Sequence, residues 1–159
     1  LDEAALALAA VDRPGRAVEP CRARIAELAA RLAEVGHDAT GAHAQATAMV
    51  RVIAHEAGIG GDADTYEDPA NADLMDVLDR RRGLPVTLAI LYTALARRVG
   101  WRATPLNVPG HVLLRVGHEA DAVTVDPFDG GRILDSGGLA ALLARILGNH
   151  AVPQAEHLA

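Results

Sequence analysis

The chain has 159 residues, a mass of 16.6 kDa and 50% apolar side chains, which suits one compact domain, or a core plus a small helical lobe, with a buried core of its own. Its formal charge of -6 excludes a phosphate-backbone binder, which needs a dense basic patch to displace counterions, so no nucleic-acid partner is expected. The single cysteine, Cys21, excludes an internal disulfide framework and a cysteine-rich zinc site and fits a cytoplasmic setting, while the absence of lysine among the 15 basic residues excludes Schiff-base chemistry.

The opening stretch from Leu1 to Ala10 reads as a helix; it lacks the basic leader of a signal peptide. With no methionine at its start, the chain reads as a piece of something longer. No run approaches the ~18 apolar residues of a membrane span, so no membrane partner is expected. A second helix places Ile25, Leu28, Leu32 and Val35 on one stripe, with Pro20 in its first turn and Gly36 as its stop. A third is predicted from Thr40, carrying Met49, Val50, Ile53 and Ala57 before Gly58. Residues 1–60 therefore form a helical N-terminal lobe, 61–148 the core and 149–159 a loose tail.

The segment from Gly58 to Ala70 is rich in Gly, Asp and Pro. Asn71 is expected to cap a short helix with Leu74, Val77 and Leu78 inward; Arg80, Arg81 and Arg82 close it and Gly83 ends it. Pro85 then starts a helix to Val99 that is apolar nearly all round and hence buried. After Gly100 the apolar period changes to two. Residues 101–108 make one strand, 111–116 and 122–126 a hairpin, and Ser136 to Leu147 a last helix before Gly148.

If the hairpin turns about His118 and Glu119, His111 lies opposite Asp126 and Leu113 opposite Thr124, on the face away from Val112, Leu114, Val116, Val123 and Val125. A carboxylate beside an imidazole fixes its tautomer and raises its basicity, so two parts of a nucleophile, base and orienter triad are present.

At this point the sequence resembles the transglutaminase-like, papain-like superfamily, whose core runs helix with cysteine, strand with histidine, strand with aspartate. The stretch from Ala89 to Gly100 looks like that helix, and counting back puts the cysteine position at Pro85. The closer resemblance is to the SirB-type branch, a bacterial group. It rests on Tyr66-Glu-Asp-Pro-Ala-Asn71, on Asp76 to Leu88 with Arg-Arg-Arg-Gly-Leu-Pro85, on Pro109-Gly-His111 and on Asp126-Pro-Phe128-Asp-Gly-Gly131. In that branch the cysteine is commonly replaced by this same proline, and members commonly continue into a helical repeat region.

The resemblance implies an α+β domain: a helical N-terminal lobe leading into a papain-like core with one buried helix against a small antiparallel sheet. Three functional readings follow. The first is a non-catalytic domain that binds a protein partner or small ligand in a vestigial cleft lined by Asn71, Arg81, Pro85, Thr87, His111 and Asp126, with Arg81 as the charged contact. The second is a hydrolase or acyl transferase in which His111 and Asp126 act as catalytic residues on water or Thr87, without a thiol. The third is a purely structural His111 to Asp126 bond that pins the hairpin. Cys21, in an amphipathic helix, reads as a buried inert thiol. No metal or other cofactor is expected: Asp62, Asp64, Tyr66, Asp68 and Asp73 imitate a calcium loop, but Glu67 stands where its turn glycine belongs, and His37, His43, His55 and His118 lack ligand spacing.

Overall fold

A computed structural model describes residues 1–148; the tail expected over 149–159 lies outside the described residues. The chain runs α1 (Asp2–Asp12), α2 (Glu19–Val35) and α3 (Ala42–Val50), whose end continues into a π-helical turn over Arg51–Glu56. A two-residue strand β1 (Gly60–Gly61) and a 3-10 turn (Pro69–Ala72) precede α4 (Leu74–Arg80), β2 (Arg82–Gly83) and α5 (Pro85–Arg98). Four strands follow, β3 (Ala103–Val108), β4 (His111–Val116), β5 (Val123–Asp126) and β6 (Arg132–Leu134), and then α6 (Ser136–Leu147).

The four long strands form one antiparallel meander in sequence order, and β1 pairs with β2 in parallel. Period-two alternation sends Ala103, Leu114, Val116 and Val125 to one face, where they pack with Leu88, Leu91, Tyr92 and Leu95 of α5. Residues of α1, α2 and α3, including Leu6, Ile25 and Met49, belong to the same cluster, so the N-terminal helices and the sheet bury α5 between them. The other face is also covered. Leu106, Val108, Leu113 and Leu134 meet Leu139, Leu142 and Leu143 of α6, so the sheet is sandwiched between helices and not backed by the buried helix alone.

Pro85 starts α5, as its fixed φ and missing N–H suit a first-turn position. Two local expectations are corrected. Asn71 does not cap α4; Asp73 does, its carboxylate accepting from the amides of Met75 and Asp76 at 2.8 and 3.3 Å. Nor does Gly83 end α4. Arg81 takes the left-handed cap at φ 63, the one described non-glycine residue with positive φ, and Gly83 is used inside β2, where a Cβ would stand 3.0 Å from Val77. Asp76, buried in α4, ties the helical segment down by accepting from Arg13 and Arg16 at 3.1 and 2.7 Å.

Candidate functional site

The β4–β5 ladder pairs Leu114 with Val125, Arg115 with Thr124 and Val116 with Val123. This is two residues away from the register expected of a turn at His118 and Glu119, because the connection runs from Gly117, at φ 95, through Ala122. A shift of two keeps every side chain on its face. His111 and Asp126 are therefore diagonal and not directly opposed, and they still meet: His111 Nε2 lies 3.0 and 3.1 Å from the two carboxylate oxygens.

The carboxylate is held from three sides. Besides the imidazole it accepts from the amides of Phe128 at 3.1 Å and Asp129 at 3.3 Å, so the turn after β5 wraps around its own first side chain. Asp126 is buried and the His111 side chain is 13% exposed, which leaves the ring in contact with solvent on one edge. Since a carboxylate only accepts, Nε2 carries the proton, and Nδ1 of the neutral ring is left with its lone pair. The ring of Phe128 meets the imidazole edge to face at 5.9 Å, and Tyr66 in turn meets Phe128 at 5.8 Å.

His111, Asp126, Phe128 and Asp129 line a cavity of about 380 Å³. Gly61 and Gly110 form part of its wall, and Leu142, Arg145 and Ile146 of α6 supply an apolar side and a guanidinium. Sequence reasoning missed all of these. A signal existed for α6, whose leucines repeat at helical spacing, but nothing in that repeat tells which sheet face the helix covers. Gly61 approaches Phe128 because it lacks a side chain: its amide donates to the Phe128 carbonyl at 3.2 Å.

Asn71, Arg81, Pro85 and Thr87, expected to line the cleft with this pair, are not among the residues around the cavity. Asn71 is fully buried and works as a fastener: its side-chain amide donates to the Thr65 carbonyl at 2.7 Å, and its own carbonyl accepts from the Leu84 amide at 3.0 Å and the Thr87 hydroxyl at 2.9 Å. Thr87 thus spends its proton on the backbone, and it faces a separate hollow beside α1 with Ala5 and Pro69. Pro85 is buried at the start of α5. Arg81 points its exposed side chain toward Gly58, whereas Arg80 reaches Asp68 at 3.3 Å and Asp62 at 3.7 Å. Cys21 is buried in α2, and burial pushes its thiol up, so it is held as the unreactive thiol.

The acidic loop folds on itself through named partners. Asp62 accepts from the hydroxyl and amide of Thr65, Asp68 from the amide of Ala70, and Asp73 caps α4. The Thr65 hydrogen bonds hold the Asp62 carboxyl at about 2. Its folded value lies below the ordinary 3.8, so the stability it contributes is present above pH 3.8 and is lost as pH falls toward about 2. The gap in urea midpoint between the wild type and Asp62→Asn is therefore expected to shrink across that interval. A gap that stays constant from pH 5 down to 2 would show that Asp62 titrates normally.

Residues 19–159 match the profile of the Transglutaminase-like superfamily. The chain belongs to that superfamily. It is 34% identical over 158 residues to the UPF0162 protein PA3419 of Pseudomonas aeruginosa, covering 99% of this chain and 57% of that protein. It is 37% identical over 112 residues to a UPF0162 protein of Xylella fastidiosa (strain 9a5c), covering 70% of this chain and 40% of the relative. A segment of 82 residues is 35% identical to human F-box only protein 21, covering 52% of this chain and 13% of that protein. The chain thus spans about half or less of these relatives. Among solved structures, a TGase crystal structure superposes with a TM-score of 0.53 at 16% identity, covering 79% of this chain and 37% of that one, a likeness of fold. Among the described residues no helix is long and apolar enough to cross a membrane.

Proposed function

We propose that this is a non-catalytic transglutaminase-like domain of the SirB-type branch, from a bacterial cytoplasmic protein, that binds a small ligand or a short partner segment in the cavity beside His111. One observation carries the reading. The His111 and Asp126 pair is assembled at an open cavity, while the helix start that bears the nucleophile in the wider superfamily begins with a buried proline and the lone thiol is buried in α2. Proline offers no side-chain nucleophile and no backbone donor. A cavity with an apolar wall, an aromatic edge and a few polar groups is the form a binding site takes.

The test has two arms. Acyl transfer and amide hydrolysis are measured on glutamine and peptide substrates before and after iodoacetamide, with Cys21→Ser alongside; no thiol-dependent turnover is expected. In parallel, amide chemical shifts are followed while a mixture of random tetrapeptides is added, and shifts are expected at Gly61, Gly110, His111 and Phe128 that weaken in Arg145→Ala. Turnover abolished by alkylation and by Cys21→Ser would overturn the non-catalytic reading.

A second reading is favoured by Nδ1 of His111, which makes no hydrogen bond among the described residues and, with the proton on Nε2, keeps a lone pair that can take a proton from water. Turnover insensitive to iodoacetamide but lost in His111→Gln would establish a thiol-independent hydrolase. Absence of both turnover and cavity shifts would leave the pair as a fastener of the hairpin.

A further inference from the structure

A second cavity is larger than the one beside His111. It holds about 760 Å³ and lies at the far end of β3 and β4, where Ala103 and Gly117 stand in place of Val108 and His111. Five residues of strand separate the two ends, about 17 Å. Three segments build it: the start of α3 with Gly41 and Gln45, the end of α5 and the connection to β3 with Arg97, Trp101 and Arg102, and the β4–β5 connection with His118 and Asp121.

Two arginines line this cavity. In an acidic chain most arginines are spent on carboxylates: Arg16 holds Asp76 and Asp79, Arg22 holds Glu3 and Glu19, Arg31 holds Glu34 and Glu56, and Arg98 holds Asp2. Arg97 and Arg102, like Arg81, Arg82, Arg115 and Arg145, carry no such partner among the described residues, and these two line one cavity together. A single carboxylate, Asp121, opposes them at the rim, near Gly41. Leaving two guanidiniums without a carboxylate on one wall of a cavity favours an anion in it.

The backbone adds to this independently. The nine-residue helix α3 begins at Gly41 without any side-chain cap, so its first-turn amides are left to solvent or to a ligand. Gly117 is what brings the opposite wall so close: a Cβ there would collide with the Cβ of Ala42 in that first turn. The Gln45 side chain, which makes no hydrogen bond among the described residues, lines the same space. Trp101 closes one side with an apolar surface, its ring lying on Gly36, where a Cβ would clash with it.

We infer that this cavity is a binding site for a tetrahedral oxyanion, free phosphate or a small phosphomonoester, held by Arg97 and Arg102 with the first-turn amides of α3. The site stands apart from the His111 cavity and does not depend on how that cavity is used. Guanidinium pairs match phosphate oxygens in a way that a point charge such as chloride does not exploit.

Trp101 is the only tryptophan in the chain and sits in the wall, so the protein carries its own reporter. Its emission is titrated with inorganic phosphate and, separately, with glycerol phosphate, at ionic strength held constant with sodium chloride, and amide shifts of Ala42 to Gln45 are recorded on the same samples. A saturable change in either signal is expected with phosphate, with half-saturation at least about tenfold higher in Arg97→Gln and in Arg102→Gln. Both side chains are exposed, so these variants should keep the parent's unfolding transition, which is checked in each sample. Tighter binding of glycerol phosphate than of inorganic phosphate would mark a phosphomonoester site, and the reverse a free-phosphate site. The proposal is overturned if both signals change only linearly and equally with chloride, or if the arginine variants titrate like the parent.

Discussion

Replacing Gly61 by alanine is expected to destabilise the domain by about 2–4 kcal/mol, the sum of overpacking against a rigid neighbour and loss of the hydrogen bonds made on either side. The added Cβ would stand 2.5 Å from a ring carbon of Phe128 and closer still to its carbonyl oxygen. A backbone oxygen cannot rotate away as a side-chain tip can, so either β1 separates from β2 or the turn after β5 moves. Both are joined at this residue: Gly61 donates to Phe128, and the next amide, of Asp62, donates to Gly83 at 3.2 Å. At about 2–4 °C per kcal/mol for a domain of this size, the melting temperature should fall by about 5–15 °C. Gly60→Ala is the control, since a Cβ there meets nothing within 4 Å, and it should cost below about 1 kcal/mol. Equal melting temperatures for the two variants would show that β1 and the turn at Phe128 yield to the added methyl at little cost. Because Phe128 packs on the imidazole of His111, Gly61→Ala should also broaden the His111 ring signals.

That dependence of the site on a glycine sixty-odd positions before the Phe128 that it touches explains what was legible in the sequence and what was not. Helices announce themselves by local period, so Ile25, Leu28 and Leu32 of α2 and the start of α5 at Pro85 were readable from neighbours three or four apart. Strand faces were readable for the same reason. The hairpin register was not, because it depends on the geometry of the connection, and Gly117 at φ 95 lengthens the turn beyond His118 and Glu119. The slip was by two, which preserves the alternation of faces and so left His111 and Asp126 on one side. A slip of one would have separated them.

The cleft residues expected from Asn71, Arg81 and Thr87 show the opposite case. Each is a polar residue in a segment that resembles a family motif, and such a motif marks both groups that face a site and groups that hold the fold around it. Asn71 illustrates the second kind, since it joins the acidic loop to the start of α5 through its side-chain amide and its backbone N–H and carbonyl without touching the cavity. Arg145, by contrast, lies in no motif and stands in the wall because α6 folds back across the second sheet face. Long-range packing of that kind leaves no local trace.

Removing the carboxylate of Asp126 should have the largest effect of any single side-chain truncation at this site, about 3–5 kcal/mol for Asp126→Ala. Three donors lose their acceptor together, the imidazole Nε2 and the amides of Phe128 and Asp129, and each buried donor left alone costs about 1–3 kcal/mol. Asp126→Asn separates the roles. Its side-chain oxygen can go on accepting from the two amides, while its NH2 group, turned to the ring, donates where the carboxylate accepted. Facing that NH2 group, an imidazole that carries its proton on Nδ1 accepts at Nε2, whereas one that stays protonated at Nε2 must share the remaining oxygen, 3.0 Å away, with the two amides, so the stability loss should be held to about 1–2 kcal/mol while the tautomer is pushed toward Nδ1–H. Ring nitrogen chemical shifts read this directly: the parent should show a protonated Nε2 and Asp126→Asn a protonated Nδ1. If His111 serves as a base through Nδ1, the asparagine variant loses that function with its fold intact; if the pair only pins the hairpin, ligand-induced shifts in the cavity stay as they are in the parent. An Nε2–H tautomer in both proteins would mean that the oxygen left in place is acceptor enough and that the second carboxylate oxygen does not set the tautomer.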